Sequence, residues 1–253
     1  MQGETSSTVC NNDLAAIAAA AKAHNCLVIV DAVCTLSTME FDMDEWGIDA
    51  VITGGQKGLS CIPGVSLIGF SSKAWEHIQS RSDQLRHWCL DAKLADQFWH
   101  KKAYHYTAPV SGILAIHEAL RLVCTETLKV RFGRHLRSSQ ALQAGIEAMG
   151  LTLHVKPIAR LNSVVGIRVP DGVEGKQLLR TMSERYKVEI SGSFGANIVR
   201  IGQMGEQCRA HNLFRTLHAF GASFNLLGQK LDLPSGMTAL ESSLDQHGFV
   251  DQI

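Results

Sequence analysis

The sequence predicts an α/β protein, with a mainly parallel sheet in a partial large domain and a small α+β domain at the carboxyl-terminal end. Two observations predict this class. In the first part of the chain, a helical segment alternates with short apolar runs rich in Val and Ile, at residues 26–33, 50–54 and 65–70. Such runs are typical of strands buried on both faces of a parallel sheet. After Gly150 the pattern changes to shorter strand and helix units.

The first predicted helix covers residues 13–24, where the sequence DLAAIAAAAKAH places Leu14 and Ile17 at helical spacing. Asn12 or Asp13 can cap its first turn. A long helical stretch, broken near Thr125, follows the three apolar runs. These elements divide the chain into part of a large domain at 1–110, a connecting long helix at 111–149 and the small domain at 150–253.

The small domain is predicted as two strands, a helix, two strands and a helix, an order that favours an α+β architecture. The units cover residues 151–155, 164–169, 174–186, 188–194, 198–204 and 207–226. The last stretch, from Pro234, is expected to form a terminal helix or a tail.

Composition excludes several classes of protein. The 253 residues include 24 Lys and Arg against 24 Asp and Glu, so no net charge attracts nucleic acid or an anionic membrane. The seven cysteines form no CxxC pair and the histidines show no HExxH spacing, so neither a disulfide framework nor a metal site is indicated. No apolar run approaches the roughly 20 residues of a membrane span, and we expect a cytoplasmic protein.

The segment VITGGQKGLSCIPG, residues 51–64, carries the strongest chemical signal. Lys57 follows an apolar strand and is flanked by Gly54, Gly55 and Gly58, which let backbone approach a ligand closely. Taken alone, such a lysine is most often a solvated charge on a loop.

Asp31 ends the preceding apolar run, and a carboxylate at such a position needs a cationic partner or a ligand. Ligands of α/β sheets collect at the carboxyl ends of the strands, so Asp31 and Lys57 are expected near one crevice. An Asp that pairs with a pyridinium nitrogen and a Lys that forms a Schiff base are what pyridoxal phosphate requires. A helix cap or a structural ion pair remains the alternative role for Asp31.

Five motifs occur in the order seen in class V aminotransferases. They are GETS at 3–6, VDAV at 30–33, TGGQKGL at 53–59 with PG at 63–64, YHYT at 104–107 and RIG at 200–202. Over about residues 3–225 the chain resembles the alanine–glyoxylate, serine–glyoxylate and ureidoglycine–glyoxylate members of that family. The resemblance implies a fold-type I pyridoxal-phosphate-dependent transferase, with residues 1–110 as the carboxyl-terminal part of its cofactor-binding domain.

The resemblance also implies roles for individual residues. Lys57 would form the Schiff base with pyridoxal 5'-phosphate and carry the proton during the reaction, and Asp31 would keep the ring nitrogen protonated. Gln56 and Thr5 would bind near the phenolic oxygen of the cofactor, and Val33 would press against the ring face. For Gln56, Thr5 and Val33, packing or capping is the alternative.

Two further assignments concern the partner and the substrate. Tyr104 and Thr107 match residues that reach the cofactor phosphate of a neighbouring subunit, which implies a homodimer with shared sites. A packed aromatic corner of Tyr104, His105 and Tyr106 is the alternative. Arg200 matches the residue that, in the family, binds the substrate α-carboxylate. A guanidinium suits this role because it forms two parallel hydrogen bonds with a carboxylate. A structural salt bridge is the alternative for Arg200.

The activity implied is transfer of an amino group from a small amino acid, alanine or serine, to glyoxylate. Two alternatives stay open: an (S)-ureidoglycine–glyoxylate aminotransferase of purine catabolism, and a truncated, non-catalytic dimerising fragment. The second arises because comparable enzymes carry a long segment before GETS that includes a phosphate-binding turn, so we expect an amino-terminally truncated chain. Gln56 stands where lyases of the same fold usually have His, which disfavours a desulfurase.

Overall fold

The computed structural model describes residues 1–82 and 87–246, so the last seven residues of the predicted tail lie outside the described residues. The first helix, α1, covers Leu14–Ala23, and the Asp13 side chain accepts a hydrogen bond from the Ala16 backbone N–H. This confirms the predicted helix and selects Asp13 as its cap. No helix in the described part of the chain is long and apolar enough to cross a membrane.

The first sheet contains β1 (Ile29–Asp31), β2 (Ala50–Gly54) and β3 (Ser66–Phe70), in the order β1-β2-β3. Strand β1 runs parallel to β2, with Asp31 opposite Ile52. Strand β3 runs antiparallel to β2, so the expectation that residues 65–70 repeat the parallel pattern is wrong. The physical reason is the connection from 55 to 65, which contains no helix and is too short for a crossover to a parallel strand.

The two faces of this sheet differ in burial. Val30 packs with Leu14 and Ala18 of α1, and all three side chains are buried. On the opposite face Ile29 is 67% exposed and Ile68 is 56% exposed. The prediction of strands buried on both faces is therefore wrong for the described chain, because no described element covers the second face.

Two helices, α2 (Ser72–Ser80) and α3 (Ala92–Lys101), follow the sheet. The long helical stretch is two helices, α4 (Val110–Glu126) and α5 (Leu128–Ala148). The break lies at Thr127, whose φ of +70° cannot continue a right-handed helix. Ile116 and Val123 of α4 pack against Leu59, directly after the Lys57 turn.

The second sheet contains β4 (Val164–Arg168), β5 (Ser191–Gly192) and β6 (Ile198–Gly202). Its order is β4-β6-β5 and both pairings are antiparallel. The predicted strand at 151–155 forms only an isolated bridge between Leu153 and Ile167. The strand predicted at 188–194 is two residues long, because only Ser191 and Gly192 align with β6.

The helices α6 (Gly175–Thr181), α7 (Ala210–Leu226) and α8 (Leu233–Gln246) complete the second half of the chain. A π-helical turn, Met182–Tyr186, extends α6 over most of the predicted helix at 174–186. The terminal segment is a helix, and its buried Leu240 and Leu244 join one large core with α5, α7 and the second sheet.

Candidate active site

Asp31 and Lys57 lie at the same edge of the first sheet. Asp31 is the last residue of β1, and Lys57 follows the end of the parallel strand β2 by three residues. Burial and the Asp31 charge raise the pKa of the Cys34 thiol to about 11, and the Lys57 charge acts in the opposite direction. Both charged side chains therefore lie within electrostatic range of one buried thiol. The Asp31 carboxylate also accepts a hydrogen bond of 2.8 Å from the Val33 backbone N–H.

Lys57 stands on a tight turn. Its N–H donates to the Gly54 carbonyl at 3.3 Å, and its own carbonyl accepts from the Ser60 N–H at 2.9 Å. A Cβ at Gly58 would overlap the Leu36 carbonyl oxygen, so the turn requires glycine there. The Lys57 side chain is half-buried, and no described residue forms a hydrogen bond or ion pair with its amine. A fully solvated loop charge does not describe this lysine.

Arg200 is held by backbone carbonyls. Strand β6 carries it, and its Nε donates to the Gly192 carbonyl at 2.6 Å while Nη1 donates to the Thr5 carbonyl. Burial lowers the pKa of Arg200, and the nearby Glu4 carboxylate raises it. Among the described residues Arg200 has no salt-bridge partner, so the expected alternative of a structural ion pair is not observed there.

The segment from Gln2 to Thr5 joins these groups. The Gln2 N–H donates to the Asp31 carbonyl at 3.0 Å, and the Cys34 thiol donates to the Gly3 carbonyl at 3.2 Å. Two residues further on, the Thr5 carbonyl meets Arg200. The GETS motif therefore connects the carboxyl end of β1 to the arginine of the second sheet.

The remaining predicted residues are more exposed. Tyr104 is 80% exposed, and its hydroxyl lies 3.4 Å from that of Thr107. In the described chain, no hydrogen bond or ring contact joins this pair to Asp31 or Lys57. The expected aromatic corner forms from His105 and Tyr106 with Trp88, without Tyr104. Val33 is half-buried and Gln56 is exposed.

Sequence reasoning missed a polar cluster beside the Lys57 turn, in which two arginines and a histidine are buried and a glutamate is half-buried. Its members come from the α4–α5 junction and α5: Glu126, Arg131, Arg134 and His135. Hydropathy gives no signal for it, because the run LKVRFGRHLRSSQ looks like a solvated helix. The one available signal was the placement of two arginines three residues apart, which puts them on the same face of a helix.

The site residues fit pyridoxal phosphate. A half-buried amine without a described partner and a carboxylate lie around one buried thiol, and a guanidinium is connected to them through residues 2–5. These are the groups that a pyridoxal-phosphate protein supplies for the aldehyde, the ring nitrogen and an anionic substrate.

The fold is that of the fold-type I pyridoxal-phosphate aminotransferases, the class of its structural neighbours. The sequence model of the family "Aminotransferase class-V" matches residues 1–218, and the chain belongs to that family.

Two curated relatives and one solved structure show how far the likeness extends. The chain is 33% identical over 242 residues to the alanine–glyoxylate aminotransferase of Drosophila melanogaster, covering 92% of this chain and 61% of the relative. It is 33% identical over 267 residues to the (S)-ureidoglycine–glyoxylate transaminase of Bacillus subtilis (strain 168), covering 97% and 63%. The crystal structure of ureidoglycine–glyoxylate aminotransferase from Bacillus subtilis matches with a TM-score of 0.92 and 32% identity, covering 96% and 64%. The chain spans about three fifths of the length of these relatives.

Proposed function

We propose that this chain is the Lys57-bearing part of a pyridoxal-phosphate-dependent aminotransferase that transfers an amino group from a small amino acid to glyoxylate. The observation that carries the proposal is the half-buried Lys57 amine, which has no described partner and shares the surroundings of Cys34 with Asp31. Bound pyridoxal phosphate supplies an electron sink that makes the Cα–H bond of an amino acid acidic.

The residues of the proposed site have separate roles. Asp31, oriented by the Val33 N–H, holds a proton at the ring nitrogen. The Lys57 amine would hold the aldehyde and, once released, would take the proton from the substrate Cα and deliver it to the aldehyde carbon of the cofactor. Thr5 and Gln56 bind beside the phenolic oxygen, and Val33 packs against the ring.

Arg200 binds the substrate carboxylate. The Gly192 and Thr5 carbonyls take hydrogen bonds from Nε and Nη1, which fixes the plane of the guanidinium. Because these partners are neutral, the positive charge stays available to an anionic ligand. The planar group pairs with a carboxylate in a way that an ammonium group cannot reproduce.

Glyoxylate as acceptor is supported by the names of both curated relatives, which share it. Their donors differ, so alanine, serine and ureidoglycine all remain candidates. A cytoplasmic homodimer completes the proposal, with exposed Tyr104 and Thr107 directed to the cofactor phosphate of the second copy.

Half-reactions test this function. The whole aminotransferase of which this chain is a part is loaded with pyridoxal phosphate, and the absorbance of the bound cofactor is followed after addition of alanine, serine or ureidoglycine. At least one donor should remove the absorbance of the aldehyde form, and glyoxylate should restore it faster than pyruvate or 2-oxoglutarate. No response to any donor contradicts the transaminase, and a preference for 2-oxoglutarate contradicts the acceptor. Lys57→Ala is the control that should give no signal.

A further inference from the structure

Two buried arginines of α5 bind the loops that carry the site. Arg131, which is 3% exposed, donates from Nη2 to the Gly58 carbonyl at 2.5 Å and to Ser60 Oγ at 3.3 Å. Gly58 directly follows Lys57. Arg134, which is 5% exposed, donates from Nη1 to the Gly205 carbonyl at 2.9 Å. Gly205 lies on the loop that follows the Arg200 strand.

The two loops are also in direct contact. Gly205 has a φ of +67°, and a Cβ there would overlap Ser60 Oγ and lie 3.4 Å from the Lys57 carbonyl oxygen. No side chain fits between the Lys57 turn and the loop after β6. The His135 Nε2 accepts a hydrogen bond of 2.9 Å from the Gly205 N–H, which fixes the loop from the helix side.

Glu126 joins the two arginines. Its Oε2 accepts from Arg131 Nη1 at 2.6 Å, and its two oxygens accept from Arg134 Nε at 2.6 Å and Nη2 at 2.9 Å. Burial raises the pKa of Glu126, but the hydrogen bonds and charges of Arg134 and Arg131 outweigh it and lower the pKa to about 2. The carboxylate therefore stays ionised and keeps both guanidinium groups in place at neutral pH.

We propose that Arg131 is a positioning residue for Lys57: its bond to the Gly58 carbonyl fixes the lysine turn, and Glu126 and Arg134 join that turn to the loop after Arg200. This inference rests on the proposed function of Lys57 and Arg200. It gives the carboxyl-binding arginine and the reactive lysine a common support on α5.

The role requires a guanidinium. Arg131 uses separate nitrogens for Glu126, for Gly58 with Ser60, and for Ser37 Oγ at 3.4 Å. A lysine can keep the ion pair with Glu126, but its single ammonium cannot reach all of these acceptors. Arg131→Lys therefore preserves the buried charge and weakens the hold on the turn.

Hydrogen exchange of the cofactor-free 253-residue chain tests the support without needing activity. In Arg131→Lys, exchange across residues 54–61 should rise at least about tenfold, while exchange in α7 and α8 stays unchanged. Arg121→Lys is the control, because Arg121 forms an exposed pair with Glu118 at 2.7 Å on α4. Exchange at 54–61 equal to that control, or raised equally over the whole chain, overturns the proposal.

Glu126→Gln, with its nearly unchanged volume, is the milder second variant should Arg131→Lys fail to fold. It should speed hydrogen exchange at both 54–61 and 203–208. If exchange becomes faster at neither segment, the proposal is overturned.

The rate at which pyridoxal phosphate and borohydride label Lys57 supplies the chemical readout. Arg131→Lys should slow labelling about tenfold and Arg121→Lys should not. Faster exchange with unchanged labelling would overturn the positioning role. Absence of Lys57 labelling in the unmodified chain would instead contradict the proposed function, and the two failures are therefore distinguishable.

Discussion

Neutral partners decide what Arg200 can do. A guanidinium in an ion pair with a protein carboxylate has its charge compensated, whereas Arg200 donates to the carbonyls of Gly192 and Thr5 and feels the Glu4 carboxylate only through space. Its contact with Thr5 also links the proposed substrate-binding residue to a residue proposed to lie beside the cofactor. The orientation of Arg200 is therefore set by backbone atoms.

Arg200→Lys should reduce kcat/KM for the amino donor, by an amount equal to about 2–4 kcal/mol of lost transition-state stabilisation. The reason is that a lysine cannot form the two parallel hydrogen bonds to a carboxylate. The rate of donor-dependent change in cofactor absorbance measures it. Arg168→Lys, at an exposed arginine on β4, is the matched control. Equal rates in Arg200→Lys and the control would show that Arg200 is structural.

His135 predicts a pH dependence of stability. It is fully buried, and burial lowers its pKa to about 4, with the charges of Arg134 and Arg131 acting in the same direction. Its Nε2 accepts from the Gly205 N–H, which assigns the proton to Nδ1, next to the Arg131 carbonyl at 2.8 Å. Between about pH 6.5 and pH 4 the unfolded chain binds a proton at His135 and the folded chain does not. The stability that neutral, buried His135 contributes is therefore lost as the pH falls through this window.

His135→Gln should remove that contribution, which amounts to about 3 kcal/mol over the window. Urea denaturation at pH 7 and pH 4.5 gives the free energies of unfolding. The difference between the two pH values should be smaller in His135→Gln than in the unmodified chain. The same difference in both proteins would contradict a neutral, buried His135.

At the scale of the elements, α8 belongs to the core of the second half of the chain. Leu240 is fully buried, and a Cβ on Gly236 would lie 2.8 Å from the Gly145 carbonyl oxygen of α5. Such close approach means that α5 and α8 pack backbone to backbone at this point. The helix is a structural element that supports α5, and α5 in turn supports the site loops.

Leu240→Ala should therefore lower the free energy of unfolding by about 2–5 kcal/mol through lost burial and a cavity. Glu241→Ala, at the exposed neighbouring position, should change it by less than about 0.5 kcal/mol. Denaturant titration compares the two. A Leu240→Ala stability equal to that of Glu241→Ala would show that α8 is only loosely attached.

The helices and strands differ in how far the sequence could predict them. Periodicity and capping were enough for α1, and composition was enough for β2 and β4, whose predicted cores match the observed strands. Strand direction at residues 66–70 depends on the length of a connection, and the apolar run itself carries no information on it. The motifs singled out Lys57, Asp31 and Arg200 as candidate site residues. The Glu126 cluster was invisible because burial of a polar helix face depends on which loops pack against it.

At the scale of the whole molecule, we expect association through the face of the first sheet that no described element covers. Ile29, Ile52 and Ile68 are 67%, 38% and 56% exposed on that face. An apolar sheet face of this kind promotes association. The 253-residue chain should associate with rising concentration in analytical ultracentrifugation, and the double variant Ile29→Thr, Ile68→Thr should associate less.

Ile158→Thr is the control for that experiment, because Ile158 is 95% exposed and lies in the loop before the second sheet. It should leave the association unchanged. If the double variant associates as strongly as Ile158→Thr, the sheet face is not the contact surface.

The central claim is that Lys57 is the lysine that holds the cofactor. The chain is incubated with pyridoxal phosphate, reduced with borohydride and digested, and the modified peptide is identified by mass spectrometry. We predict the modification on Lys57, and not on Lys22, whose amine is paired with Asp49 at 2.7 Å. Modification of Lys22 or Lys73 in place of Lys57 would contradict the account.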